Sequence, residues 1–346
     1  MPDFYKLARK ILFRLDPETA HHLTLSGMNV TRRLGLLPHL TGLGPAPNPV
    51  GSGIEVMGLR FPNRVGLAAG LDKAGTAVDA FGALGFGHVE VGTVTPRPQP
   101  GNPKPRLFRL VEHEAVINRM GFNNPGVDRL LENLGRSRRR FRGVLGINIG
   151  KNFDTPNERA LEDYVACFRA VYGAADYIAA NLSSPNTKGL RDLQNVETCR
   201  ELVATLQRER RDLALSHDGR QAPILIKIAP DLEADQIRDL AAVFSETKID
   251  GVIATNTTID RAAVAGHRFA PEAGGLSGTP VRRRATEVIR VLREALDPAI
   301  PIIGVGGISS ADDAREKLDA GAALVQIYTG LIYRGPALVR KLAAMK

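Results

Sequence analysis

Tyr177-Ile178-Ala179-Ala180 runs directly into Asn181-Leu182-Ser183-Ser184-Pro185-Asn186-Thr187. The first four residues are apolar and read as a buried β-strand. The next seven carry two asparagines, two serines and a threonine, with Pro185 fixing the backbone among them. Taken alone, such a segment is an ordinary turn, because Ser, Asn and Pro are turn formers. A buried strand ending in so many donors and acceptors also calls for something polar opposite them. The rest of the chain decides between the two.

From Asn63 onward the same strand-then-helix unit recurs. Strands are predicted at Arg64–Ala69, His88–Val94, Val144–Ile149, Tyr177–Leu182, Ile224–Ile228, Gly251–Thr255, Ile302–Val305 and Leu324–Tyr328, eight in all. Most are unbroken Val/Ile/Leu/Ala runs, as strands buried on both faces should be. Helical patterns lie between them at Asn157–Tyr172, Val196–Leu215, Asp235–Phe244 and Val281–Leu296. Eight alternating units fit an α/β fold of the (β/α)8 TIM-barrel type better than an open doubly wound sheet. A short pair of extended segments, Ile54-Glu55-Val56 and Leu59-Arg60-Phe61, precedes the first unit.

In such a barrel the active site is built at the C-terminal ends of the strands. Here every one of those ends carries polar groups, glycine or both, from Ala69-Gly70-Leu71-Asp72-Lys73 round to Tyr328-Thr329-Gly330. The Asn181–Thr187 segment thereby becomes one wall of a site. Gly306-Gly307 and Thr329-Gly330 suit a phosphate, since glycine lets backbone N–H groups come close. Gly274–Gly278 reads as a loop able to close over it. Lys73 and Lys227 could stabilise an anionic ring or a carboxylate. Asn148, Asn181, Asn186 and Asn256 suit a small planar ligand with amide edges, such as a pyrimidine.

Composition excludes several classes. The 346 residues are 43% hydrophobic and 24% charged, as in a globular protein. Cys167 and Cys199 are the two cysteines, without metal-ligand spacing, so neither a disulfide framework nor a zinc site is expected. The net charge of +9 favours anionic partners without naming one. Arg136, Arg138, Arg139, Arg140 and Arg142, like Arg282-Arg283-Arg284, read as solvated faces rather than a nucleic-acid surface, because no aromatic series accompanies them.

The N-terminal segment, residues 1–40, reads as two helices. The first sets Phe4, Leu7, Ala8, Ile11, Leu12 and Leu15 at helical spacing among Lys6, Arg9, Lys10 and Arg14. The second starts at Pro17 with Asp16 as its cap. The pair either packs on the main domain or lies on an anionic lipid surface. Residues 41–53, TGLGPAPNPVGSG, read as a linker, which leaves 54–346 for the barrel.

The segments AAGLDK, VEVGTVTPRPQPGNPKPRLFRL, INRMGFNN, INIGKN, NLSSPNT, KIAPD, TNTT, GGLSG, GVGGI and IYTG resemble the dihydroorotate dehydrogenases, from about residue 54 to the C-terminus. Ser184, where class 1 members carry cysteine, and the helical extension resemble the quinone-dependent, membrane-associated class 2. The resemblance implies oxidation of dihydroorotate to orotate in pyrimidine biosynthesis, with FMN as cofactor and a membrane quinone as acceptor. It implies a peripheral protein on the cytoplasmic face of the cell membrane. Ser184 would be the base that removes the C5 proton. FMN would meet Ala69, Gly70, Leu71, Asp72, Lys73, Thr93, Asn148, Asn181, Lys227, Thr255, Gly278, Gly307, Tyr328 and Thr329. The substrate would meet Lys73, Asn118, Arg119, Met120, Gly121, Phe122, Asn181, Asn186, Asn256 and Thr257. His21, Arg109 and Tyr328 would border the quinone tunnel, and Thr187 to Arg191 would act as a lid. The alternatives are a class 1-like member using fumarate or NAD, a flavin-free phosphate-binding isomerase barrel, and a non-catalytic membrane-surface protein.

Overall fold

The computed structural model describes residues 4–37, 53–138, 140–187 and 189–345. Eight strands close a barrel: β3 (Val65–Leu67), β4 (His88–Val94), β7 (Val144–Ile149), β8 (Tyr177–Asn181), β9 (Ile224–Ile228), β10 (Gly251–Ala254), β12 (Ile302–Val305) and β13 (Leu324–Ile327). Every neighbouring pair is parallel, including β13 with β3, which shuts the ring. These are the eight predicted strands, with four of them one to three residues shorter. Around them lie α3 (Val78–Leu84), α4 (Val127–Ser137), α5 (Ala160–Val171), α6 (Val196–Leu215), α7 (Ala234–Thr247), α8 (Arg282–Ala295), α9 (Ala311–Asp319), α10 (Thr329–Arg334) and α11 (Pro336–Ala343). The pattern read from Asn157 begins as one 3-10 turn, Asn157–Arg159, before α5.

β1 (Ile54–Val56) and β2 (Leu59–Phe61) form the expected antiparallel pair. Val56 and Phe61 pack with Val144, Tyr177, Leu225, Ile253, Ile303 and Leu324, so the hairpin plugs the lower end of the barrel. Inside that end, His88 is fully buried and its ring meets Phe61 edge-on at 5.3 Å. A Cβ at Gly66 would come within 2.0 Å of the His88 ring, which is why that strand carries glycine. Burial without a polar partner among the described residues pushes the His88 pKa down to about 3, so the ring is neutral.

A second sheet is absent from the sequence reading. β5 (Leu107–Leu110), β6 (Ala115–Asn118) and β11 (Gly275–Gly278) pair antiparallel beside the barrel mouth. β11 is thus the segment expected to be a loop. Its Gly-Leu-Ser-Gly sequence has no β-branched residue, and tertiary pairing with β6, with a bridge from Leu276 to Thr258, makes it a strand.

α1 (Phe4–Leu12) and α2 (Pro17–Arg33) cross this face. Asp16 caps α2 as read, its carboxylate accepting the Thr19 N–H at 2.9 Å. The pair is anchored by polar contacts. Arg106 forks onto the buried carboxylate of Glu18 at 2.7 and 3.1 Å, and Tyr5 Oη donates to Ile332 O at 2.6 Å. The linker read at 41–53 lies, apart from Gly53, outside the described residues. No described helix is long and apolar enough to cross a membrane.

Candidate active site

The floor of the barrel mouth is built by strand side chains that a closed ring points inward. Glu90, on β4 between Val89 and Val91, is fully buried. Its Oε1 accepts from Asn148 Nδ2 at 2.9 Å, and its Oε2 accepts from Tyr177 Oη and Gln326 Nε2, each at 2.9 Å. Lys227 Nζ lies 3.6 Å from Oε1 and is nearly as buried. Pointing inward spares Lys227 a place under a helix, and the carboxylate supplies the partner that a buried cation needs. Burial beside that carboxylate holds the Tyr177 phenol well above its ordinary pKa.

One layer up, the Asn181 amide donates to Thr93 Oγ1 at 2.9 Å and to Asn148 Oδ1 at 3.1 Å. Its oxygen accepts the Ser183 N–H at 3.2 Å and Asn256 Nδ2 at 3.3 Å. The turn that follows β8 is therefore fixed by the last residue of that strand. Ser184 Oγ sits buried above this layer and accepts from Asn186 N at 3.3 Å, while Asn186 Nδ2 donates to Asn118 Oδ1 at 3.0 Å. Arg191 then fastens the loop. It donates to Ser183 O at 3.2 Å, to Asp231 Oδ2 at 2.7 Å and to Thr257 O at 2.9 Å, tying together the segments after β8, β9 and β10.

These groups surround a cleft of about 970 Å³, open solvent at its mouth included. It is lined by Ala69, Gly70, Lys73, Thr93, Asn181, Lys227, Thr255, Gly278, Gly307, Tyr328 and Thr329 from the FMN set. Asn118, Met120, Gly121, Phe122, Asn186, Asn256, Thr257 and Ser184 line it as well. Gly307, at φ +73°, turns so close to α8 that a Cβ there would meet Arg282 Cβ at 2.5 Å, so the cleft is bordered there by bare backbone. Buried oxygens of Asn186, Thr257 and Gln326 have no partner among the described residues. Burial and the nearby Arg106 guanidinium push the Lys73 pKa down to about 8.

Four residues assigned to the site from the resemblance do not line the cleft. The Asp72 carboxylate turns away and accepts the N–H groups of Thr76 and Ala77 at 2.9 and 2.7 Å, ahead of α3. Leu71 faces a different cavity. Asn148 lies beneath, inside the Glu90 network. Arg119 pairs with Glu272, its guanidinium 4.7 Å from the Phe108 ring centroid. The sequence reading in turn singled out neither Glu90 nor Gln326. The available signal was an acid between two valines in a strand read as buried.

The second cavity, about 910 Å³ with open solvent included, lies beneath α1 and α2. Leu12, Phe13, Leu25, Met28, Leu71, Phe81 and Leu331 make most of its wall apolar, and His21, Arg109 and Tyr328 all border it. Arg109 donates to Leu12 O at 3.0 Å and to Leu15 O, with its guanidinium 4.8 Å from the Phe13 ring centroid. Its polar partners are thus the carbonyls between α1 and α2 rather than a carboxylate. Desolvation pushes the His21 pKa down to about 3 and the Tyr328 pKa up to about 12, so both are neutral at physiological pH. Among the described residues, Tyr328 alone lines both cavities.

The family described as Dihydroorotate dehydrogenase matches residues 53–345. The Dihydroorotate dehydrogenase (quinone) of Chromobacterium violaceum is 59% identical over 339 residues, spanning 98% of this chain and 96% of that protein. The protein of the same name from Stenotrophomonas maltophilia is 58% identical over 336 residues, spanning 97% and 93%. The crystal structure of Eimeria tenella DHODH in complex with ferulenol superimposes with a TM-score of 0.84 at 38% identity, covering 95% of this chain and 90% of that one. Relatives of this kind do not favour a fumarate- or NAD-using member. The chain belongs to the dihydroorotate dehydrogenase family of oxidoreductases, among its quinone-dependent members.

Proposed function

We propose that the barrel cleft oxidises dihydroorotate to orotate, a step of pyrimidine biosynthesis, and that the electrons leave to a quinone in the cavity under α1 and α2. The observation that carries this reading is that Tyr328, alone among the described residues, lines both cavities. The flavin of the family is here FMN, held by Thr93, Asn181, Lys227, Thr255, Gly278, Gly307 and Thr329. Unpartnered buried oxygens for a ring with N–H edges, a buried lysine and a glycine-bordered rim support that fit. Bound there, FMN would supply the hydride-accepting, electron-carrying chemistry that links substrate oxidation to quinone reduction.

The protein's own part is acid–base and electrostatic. Ser184 takes the C5 proton, which the neighbouring carbonyl acidifies, as its own hydroxyl proton passes on to solvent at the cleft mouth, because a hydroxyl is too weak a base to keep both. Amide donors from Asn118, Asn186 and Asn256 hold the planar ring and its developing charge. Arg191 keeps the loop bearing Ser184 closed against water. Lys73 meets the substrate carboxylate as a cation. Its pKa of about 8 in the free site sets the pH dependence. Affinity is complete below that pH and falls about tenfold per unit above it, until the pKa of the complex is reached. The KM for dihydroorotate should therefore rise between about pH 8 and pH 10, and Lys73→Met should raise KM at neutral pH and abolish that rise. A KM that is flat across the range in the unaltered enzyme removes Lys73 from this role.

Residues 1–40 form the quinone- and membrane-facing segment of a peripheral protein at the cytoplasmic face of the cell membrane. Leu7, Ile11, Leu23, Val30 and Leu34 are each more than half exposed, with Lys6 and Lys10 beside them, as an interfacial helix pair requires. The experiment that tests the division of labour is Ala20→Trp, which fills the second cavity from α2. Reoxidation by a long-tailed quinone should slow at least about tenfold, the effect of roughly 1.4 kcal/mol of lost binding. Flavin reduction by dihydroorotate in rapid mixing should stay unchanged. Full quinone turnover by this variant places the quinone elsewhere.

A further inference from the structure

A third cavity lies between the C-terminal end of α2, the start of α3 and the C-terminal end of α4, about 1300 Å³ with open solvent included. Arg32 and Arg33 reach it from α2, and Arg136 and Arg140 from α4 and the residues just after it. One carboxylate, Asp79, lines it too. Asp79 is already engaged: Oδ1 accepts the N–H groups of Arg140 and Phe141, each at 2.8 Å, and Oδ2 lies 3.8 Å from Arg32. Among the described residues no carboxylate pairs with Arg33, Arg136 or Arg140. Cations suit helix C-termini singly. Two such ends aimed at one cavity bring like charges together, a cost that a bound anion relieves. Guanidinium forks match phosphate oxygens bidentately.

The setting selects the anion. Arg33 stands on α2 next to Val30 and Leu34, part of the exposed apolar face. A free phosphate has no use for that face, whereas a phospholipid places acyl chains and phosphate side by side in this way. We propose that Arg33, Arg136 and Arg140 form a headgroup site for an anionic phospholipid, at the edge of the surface that α1 and α2 lay on the membrane. The proposal rests on the membrane-facing reading of those helices.

The test uses the full-length FMN-loaded enzyme and co-sedimentation with phosphatidylcholine vesicles, with and without phosphatidylglycerol. Arg136→Gln/Arg140→Gln removes two cations outside the N-terminal helices. Both side chains are exposed, so the fold should tolerate the change. Arg208→Gln/Arg211→Gln on α6 removes the same charge from a remote face. The unaltered enzyme should prefer the anionic vesicles. The first variant should lose more than about tenfold of that preference, while the α6 variant keeps it. Equal behaviour of the two variants overturns the headgroup site and leaves the membrane reading standing. An unaltered enzyme that binds neither vesicle overturns the membrane reading, and the headgroup site with it.

Discussion

Ser184→Ala is expected to leave FMN bound and to slow its reduction by dihydroorotate about 10²–10⁴-fold, the usual effect of losing a positioned base. The side chain can be removed cleanly. Its one side-chain bond of note is acceptance from Asn186 N at 3.3 Å, and the loop is held independently by Asn181 and Arg191. The defect should therefore fall on the chemical step rather than on binding. Ser184→Cys should recover part of the rate, because a thiolate also accepts a proton. Anaerobic stopped-flow at the flavin absorbance, with orotate affinity measured alongside, separates the two effects. An alanine variant that bleaches its flavin at the normal rate leaves the base to be sought in another residue.

Lys227→Met is expected to damage both fold and cofactor binding. The cation stands 3.6 Å from a carboxylate that is itself fully buried. Removing one partner of a buried pair typically costs about 3–5 kcal/mol, because the other charge stays behind. Here Asn148, Tyr177 and Gln326 still donate to Glu90, so the low end, about 3 kcal/mol, is expected. FMN content should fall as well, since Lys227 is a buried cation that borders the cleft floor. Adding Glu90→Gln should restore most of the stability and none of the FMN, which distinguishes the two roles. Denaturation midpoints and flavin stoichiometry are the measurements. Normal values of both in Lys227→Met alone exclude the assignment.

The barrel was legible because parallel strands buried on both faces need unbroken apolar runs, and such runs recur eight times. The polar strand ends pointed to the cleft for the same reason. What lay hidden is what only ring closure assembles. Glu90 finds its donors 58, 87 and 236 residues away, and no local pattern announces such partners. Asp72 and Leu71 sit between Gly70 and Lys73, yet the turn sends their side chains away from the cleft that those two line. The arginines at 136 and 140 read as a solvated face until α2 brought Arg32 and Arg33 alongside. In the second cluster Arg282 and Arg284 are spoken for internally, on Asp313 and on Pro230 O, and Arg283 is exposed.

The wall made by Tyr328 bears on inhibition. A compound lodged beneath α2 and one lodged over Lys227 touch a common residue but need no common space. On the proposed assignment of the two cavities, the enzyme should carry both at once. A blocker of the apolar cavity should therefore compete with the acceptor and not with dihydroorotate, and accumulation of dihydroorotate in a treated cell could not displace it.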